Sequence, residues 1–166
     1  MSEDVYDLPE HMALTVRPVG VMRSPYRTHW ETPRQPAAAL ETDAEPDGRI
    51  VLKPGLQNLL RDITGFSHVW VLFWFNYSHG WNHTVKPPRD TEFRGLFATR
   101  SPHRPNPIGL SLVEVKRVHG CTLTIGAHDI LDGSPILDIK PYVPYADVAP
   151  DARAGWVDDL PQEPET

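Results

Sequence analysis

The sequence predicts a mainly β protein, an antiparallel barrel or sandwich with one or two short helices. Three observations lead there. Eighteen prolines in 166 residues break the chain into loops and short extended pieces. The run His68-Val69-Trp70-Val71-Leu72-Phe73-Trp74-Phe75 is apolar at nearly every position, the pattern of a strand buried on both faces at the centre of a sheet or barrel. Further short strands follow at close spacing with tight turns between them, as in an antiparallel barrel or sandwich. The sequence holds neither Gly-x-Gly-x-x-Gly nor a Walker loop, which argues against the common nucleotide-binding folds.

Taken in order, residues 16–22 read as a first strand weakened by Pro18, and residues 23–36 as a turn-rich loop dotted with arginine. Residues 37–40 and 48–52 flank an acidic, turn-prone stretch, 41–47, and read as short strands or an extended excursion. From Pro54 the spacing of Leu56, Leu59, Leu60 and Ile63 has a helical period, and Gly65 closes it, so one helix is predicted here. Residues 68–75 form the core strand, and residues 93–98 lead into a stiff loop. Residues 108–118 alternate as a strand, His119-Gly120 makes a two-residue gap, and residues 121–126 return to complete a hairpin. A second tight turn, Asp132-Gly133, leads to a strand over 135–140 that exits through Pro141-Tyr142-Val143-Pro144-Tyr145.

The length suits one domain with its own core. We therefore expect a mobile acidic tail over 1–12, a barrel domain over 13–150 and a second acidic tail over 151–166. The net charge of −6 is uneven: residues 1–10 hold four acids and no base, and residues 151–166 hold five acids and one base. Residues 11–150 carry 15 bases against 13 acids, a modest surplus that permits a nucleic-acid partner without demanding one. Cys121 is the single cysteine, so an intrachain disulfide and a cysteine-based zinc cluster are both excluded. With an acidic N-terminus in place of a signal peptide and no apolar run of membrane-spanning length, a cytoplasmic protein off the membrane is expected.

The segment Arg100-Ser101-Pro102-His103-Arg104-Pro105-Asn106-Pro107-Ile108-Gly109 is the least ordinary in the chain. Three prolines stiffen it, so Arg100 and Arg104 point in set directions and suit carboxylate or phosphate oxygens. It echoes Arg23-Ser24-Pro25-Tyr26-Arg27, and a matched pair of such loops could face one cleft. On the last strand, Asp138 and Lys140 share a face by strand periodicity while Leu137 and Ile139 take the other, and Tyr142 follows, placing an acid, a base and an aromatic at a defined rim. His79 and His83 stand at i and i+4 but in a segment that does not look helical, and no third ligand accompanies them, so no metal site is expected.

Together, Arg23-Ser24-Pro25-Tyr26, Pro33-Arg34-Gln35-Pro36, Phe66-Ser67-His68-Val69-Trp70, Pro87-Pro88-Arg89, the Arg-Pro-Asn-Pro-Ile-Gly loop, Asp132-Gly133-Ser134-Pro135 and Asp138-Ile139-Lys140-Pro141-Tyr142 resemble the TsaA-like (TrmO) family over roughly residues 15–150. The resemblance implies a small antiparallel β-barrel with no Rossmann domain, working as a homodimer, that uses S-adenosylmethionine to methylate the exocyclic nitrogen of threonylcarbamoyladenosine beside the tRNA anticodon. It implies a cofactor site made of Arg34, Gln35, Pro36, Asn76, Tyr77, Arg100, Leu110, His128, Asp129, Ile130 and Leu131. The acceptor nitrogen must lose a proton, and Asp138 is the candidate base, with Lys140 tuning it and Tyr142 at the rim; Arg89 and Arg104 are candidates for substrate contact. Larger bacterial members carry a C-terminal domain, whereas this chain stops about 20 residues past Tyr145, and Asn76-Tyr77 replaces the His-Gln of some members. A methyltransferase acting on a small molecule or protein, and a cofactor-binding regulator without catalysis, stay open beside the tRNA enzyme.

Overall fold

A computed structural model describes residues 13–34 and 47–160. Eight strands and a short terminal helix order the chain: β1 (Gly20–Arg23), β2 (Gly48–Leu52), β3 (His68–Trp74), β4 (Thr84–Val85), β5 (Arg94–Gly95), β6 (Ile108–His119), β7 (Thr122–Ile125), β8 (Pro135–Pro141) and α1 (Pro144–Asp147). Six of them close into a barrel in the order β1-β2-β7-β6-β3-β8, while β4 and β5 form a separate ribbon. Every strand pair among the described residues is antiparallel. The first strand is shorter than residues 16–22. The expected strand over 37–40 and the tails 1–12 and 161–166 lie outside the described residues.

Alternation fills the barrel. Met22, Ile50, Leu52, Val69, Val71, Phe73, Val113, Leu123, Ile125 and Ile136 point inward and are almost completely buried. On β3 only one face is buried. His68, Trp70, Leu72 and Trp74 are half-buried on the outside, so the uniformly apolar run marks an outer wall as well as a core, not a strand buried on both faces. β3 is nonetheless central, pairing with β6 on one side and β8 on the other.

Two further expectations change. The predicted helix after Pro54 is two 3-10 turns, Gln57–Leu60 and Ile63–Gly65, interrupted by Arg61 in an extended conformation and Asp62 at φ 64°. Leu60 is buried and Leu56 and Ile63 pack on the core, whereas Leu59 is 67% exposed. The apolar spacing thus plugs one end of the barrel without a continuous helix. On β8 the register shifts opposite Leu72 and Phe73: Asp138 pairs with Leu72 and Ile136 with Phe73, leaving Leu137 as the extra residue of a bulge. Ile136 and Ile139 therefore both turn toward the core, and Leu137 does not share a face with Ile139.

The hairpin forms as expected, one residue later, with His119 opposite Thr122 and Gly120 at φ 56°. β6 pairs with β3 through Glu114 and with β7 from Val115 onward, bending at an irregularity between Val115 and Arg117. Within the expected C-terminal tail, the Trp156 indole N–H donates to the Ala98 carbonyl (2.8 Å) and Arg94 lies over the ring.

Gly109 faces inward on β6, where a Cβ would lie 2.2 Å from the Phe73 ring. Phe73 occupies the space that any other residue here would need. Gly109→Ala should lower stability by about 1–3 kcal/mol, read as a reduced urea midpoint with an unchanged slope.

Candidate functional site

Strand direction alternates around an antiparallel barrel, so each end collects its own set of connections. At one end β1, β3 and β7 finish and β2, β6 and β8 begin. The segments leaving this mouth are the loop after β1, the residues after Trp74, the loop before Ile108 and the connection from Gly126 to Ser134. Arg34, Asn76, Tyr77, Arg100, His128, Asp129, Ile130 and Leu131 all fall on them. Gln35 and Pro36 lie outside the described residues. Residues scattered in sequence thus belong to one end of the fold.

The first Arg-Ser-Pro loop is fastened to the Asp-Gly turn. The N–H of Ser24 donates to Asp132 Oδ1 (3.1 Å), that of Asp132 to the Tyr26 carbonyl (2.8 Å) and that of Gly133 to the Met22 carbonyl (2.9 Å). Gly133 sits at φ 78°, and a Cβ there would lie 3.3 Å from the Tyr77 hydroxyl, so Tyr77 reaches over this turn. The second Arg-Ser-Pro copy meets the same connection through charge: Arg100 acts on Asp129. Both copies therefore border residues 129–133, the first by backbone bonds and the second by its leading arginine.

Asp129 is the electrostatic centre of the mouth. Burial pushes its carboxyl up, while a hydrogen bond from the Ser111 hydroxyl (2.5 Å) and the Arg100 charge pull the other way. Ser111 was not singled out by sequence reasoning. Its signal was present, since it lies two residues past Gly109, where the proline-rich loop ends, and shares the inward face of that glycine. Asn76 adds a buried Oδ1 without a hydrogen-bond partner among the described residues, an acceptor open to a ligand donor.

Other candidates sit differently. His128 and Ile130 are fully buried, so their side chains shape the connection from within the barrel and do not touch a ligand. The His128 Nδ1 accepts from the Ile130 N–H (3.2 Å), which leaves the proton on Nε2, and the ring meets Tyr26 edge-on at 5.1 Å. Leu110 points outward on β6 and is 57% exposed. Arg104 braces its own loop, its Nη1 donating to the carbonyls of Thr99 (3.0 Å) and Ser101 (3.3 Å) while its guanidinium lies over Phe97. Arg34 and Arg89 are exposed.

The expected rim of Asp138, Lys140 and Tyr142 is not gathered at the mouth. Asp138 and Lys140 form an exposed ion pair on the outer wall (2.8 Å), in which the hydrogen bond and charge of Asp138 raise Lys140. Asp138 pairs with Leu72, which pairs in turn with Leu110, so two strand spacings, about 10 Å, separate Asp138 from Leu110 on one face. Tyr142 lies beyond the far end of β8, where its N–H donates to the His68 carbonyl (3.0 Å) and its ring packs at 6.0 Å from Trp70. Seven residues of nearly extended chain carry it roughly 20 Å from Pro135.

The molecule is thus a closed six-stranded antiparallel barrel whose connections build a charged, polar mouth. The chain belongs to the tRNA-methyltransferase O N-terminal domain family, whose model matches residues 21–148. It is 42% identical over 151 residues to a tRNA (adenine(37)-N6)-methyltransferase of Escherichia coli strain K12, covering 86% of this chain and 63% of that protein. It is 40% identical over 134 residues to an S-adenosyl-L-methionine-binding protein of Archaeoglobus fulgidus, covering 81% of this chain and 93% of that one. The crystal structure of TrmO from Pseudomonas aeruginosa superposes with a TM-score of 0.73 at 40% identity, over 91% of this chain and 66% of that one. The chain thus spans a little under two thirds of the Escherichia coli and Pseudomonas proteins.

The buried imidazole gives the mouth a pH dependence. Burial lowers His128 from 6.5 to about 4, so the folded protein holds it neutral while the unfolded chain protonates it near 6.5. Its contribution to stability is complete above pH 6.5 and is lost as the pH falls toward 4, on the order of 3 kcal/mol in full. Asp129, raised by burial, acts in the opposite sense. Urea midpoints measured from pH 7 to pH 4 should fall, and should fall less steeply in His128→Gln.

Proposed function

We propose that this domain binds S-adenosylmethionine at the barrel mouth and methylates the N6 nitrogen of threonylcarbamoyladenosine next to the tRNA anticodon, as a homodimer in the cytoplasm. The observation that carries the reading is the convergence of Arg100, Asp129, Ser111, Asn76 and Tyr77 at one end of the barrel. These residues fit the cofactor's chemistry. Arg100 suits its carboxylate, Asp129 its ammonium, Asn76 Oδ1 a further donor, and the 62% exposed Tyr77 ring a flat apolar face. The names of the Escherichia coli and Archaeoglobus relatives point the same way.

Bound S-adenosylmethionine supplies an activated methyl group on a sulfonium. What the chain must add is alignment with the acceptor nitrogen and a place for that nitrogen's proton. Asp138 is our candidate base, an accessible carboxylate on the face that also carries Leu110, with the Lys140 ammonium holding it in position. Tyr142 supports this wall through Trp70. Arg89 and Arg104 stand as the basic contacts for RNA. The homodimer reading rests on the outer wall of β6, β3 and β8, where Ile108 is 44% and Leu110 57% exposed beside the half-buried Trp70, Leu72, Trp74 and Leu112. No helix among the described residues is long and apolar enough to cross a membrane.

The test is methyl transfer to tRNA carrying threonylcarbamoyladenosine, read by nucleoside mass spectrometry. A methylated nucleoside at that position supports the proposal, and its absence with cofactor bound refutes it. Arg100→Ala should weaken S-adenosylmethionine at least about tenfold in calorimetry, as the loss of a charge-assisted contact implies. Asp138→Asn should leave cofactor affinity intact and slow turnover by about 10²- to 10⁴-fold, the usual share of a general base. Unchanged turnover would remove Asp138 from that role.

A further inference from the structure

Between β3 and β6 the chain makes a long excursion that leaves and re-enters at the barrel mouth, and the core does not use most of it. It carries the β4–β5 ribbon and a surface groove of about 330 Å³ lined by Trp81, His83, Leu96, Phe97 and Pro105. The groove is aromatic and exposed. Phe97 is 80% exposed and Trp81 45%, Trp81 meets His83 edge-on at 5.0 Å, and the Arg104 guanidinium lies over the Phe97 ring at 5.4 Å. Folding alone does not call for an exposed Phe under an arginine, because burial would stabilise the ring more.

The framework beneath these rings is fixed. The Leu96 N–H donates to the His83 carbonyl (2.9 Å), the His103 ring donates to the His79 carbonyl (3.2 Å), and Thr99 closes the turn with bonds to Leu96. Two sides of the groove are thus pinned to each other and to the proline-rich loop. Charge then distinguishes the occupant. Residues 76–107 hold five lysines and arginines against two acids, in a chain of net charge −6. Both acids gather on Arg94, Asp90 by a hydrogen bond (2.7 Å) and Glu92 by charge, beside the segment carrying Trp156 and Asp159, which leaves Lys86, Arg89, Arg100 and Arg104 as the surplus. Flat π faces framed by cations match a polyanion with flat bases, which stack on aromatic side chains and are held by phosphate contacts. A protein partner would be served by apolar pockets without this positive surround.

We infer that the Trp81–Phe97 groove is a base-stacking platform for an unpaired nucleotide of single-stranded or loop RNA, beside the methyl-transfer site. The inference rests on the proposed tRNA activity and adds where the loop is held. An unpaired base stacks on Phe97 or Trp81, with the Arg104 guanidinium over the other face of the Phe97 ring.

Fluorescence anisotropy with a labelled anticodon stem-loop RNA tests it on the full chain, with parallel S-adenosylmethionine titration and mass by light scattering. Phe97→Ala and Trp81→Ala should each weaken the RNA by about 5- to 100-fold, the range for loss of one stacked base. Phe97→Tyr should restore affinity, and cofactor affinity and mass should stay as in the wild type. If the wild type binds and methylates RNA but both alanine variants bind it equally well, the platform is wrong and the tRNA activity stands. If the wild type neither binds nor methylates RNA, the activity itself is wrong. A change of mass in Phe97→Ala would make the groove a contact between copies of the chain, and would overturn the inference.

Discussion

The barrel depends on its narrowest seam. β1 and β8 share only two register pairs, Gly20 with Ile136 and Val21 with Pro135, and Pro135 has no N–H to add to the ladder. The seam is extended beyond the strands by bonds of Ser24, Met22 and Tyr26 with residues 132–134. Each is worth about 1 kcal/mol net, and together they close a ring whose other joints are longer. The same bonds hold the connection from β7 to β8 over the mouth. Closing the fold and shaping the site are therefore one event, which gives a physical reason for Arg23-Ser24-Pro25-Tyr26 and Asp132-Gly133-Ser134-Pro135 to occur together.

That connection carries a buried imidazole and a half-buried carboxyl with opposite tasks. His128 is packed beneath Gly48, where a Cβ would lie 2.5 Å from its Nε2, and it stays neutral. Asp129, the next residue, turns to Ser111 and the field of Arg100. One side chain anchors the segment in the core and its neighbour presents charge at the mouth, because consecutive residues of extended chain face opposite ways. A polar carboxylate supported this way costs desolvation but arrives preorganised for a cation, as the proposed S-adenosylmethionine site requires for the ligand's ammonium.

Much of this was legible in the sequence. β3, β6, β7 and β8 announce themselves by apolar periodicity, and Gly120 and Gly133 mark their turns by requiring positive φ. The candidate site residues came from resemblance; strand ends bring Asn76, Tyr77, Arg100 and Asp129 to the mouth, whereas Asp138 and Lys140 lie on the outer wall and Tyr142 at the far end of β8. Other features left no local trace. The bulge at Leu137 breaks an alternation that reads as regular, and it alters which residues share a face with Asp138. The 3-10 turns after Pro54 mimic a helix because three apolar residues must cap a barrel end at a similar spacing. The Ser111–Asp129 bond joins residues 18 apart on different elements, and the Trp156–Ala98 bond spans 58, so neither shows in a window of local pattern.

The proposed S-adenosylmethionine site is the barrel mouth, assembled on the connection that closes the seam. Amide chemical-shift mapping of the ¹⁵N-labelled protein during titration with S-adenosylmethionine tests it most directly. The largest shifts should fall on Asn76, Tyr77, Arg100 and residues 129–133, with the far-end residues Asn58, Ile63 and Gly120 unmoved. Shifts confined to the plugged end of the barrel, or saturable binding without shifts at Asp129 and Gly133, would place the ligand elsewhere and overturn the mouth as its site.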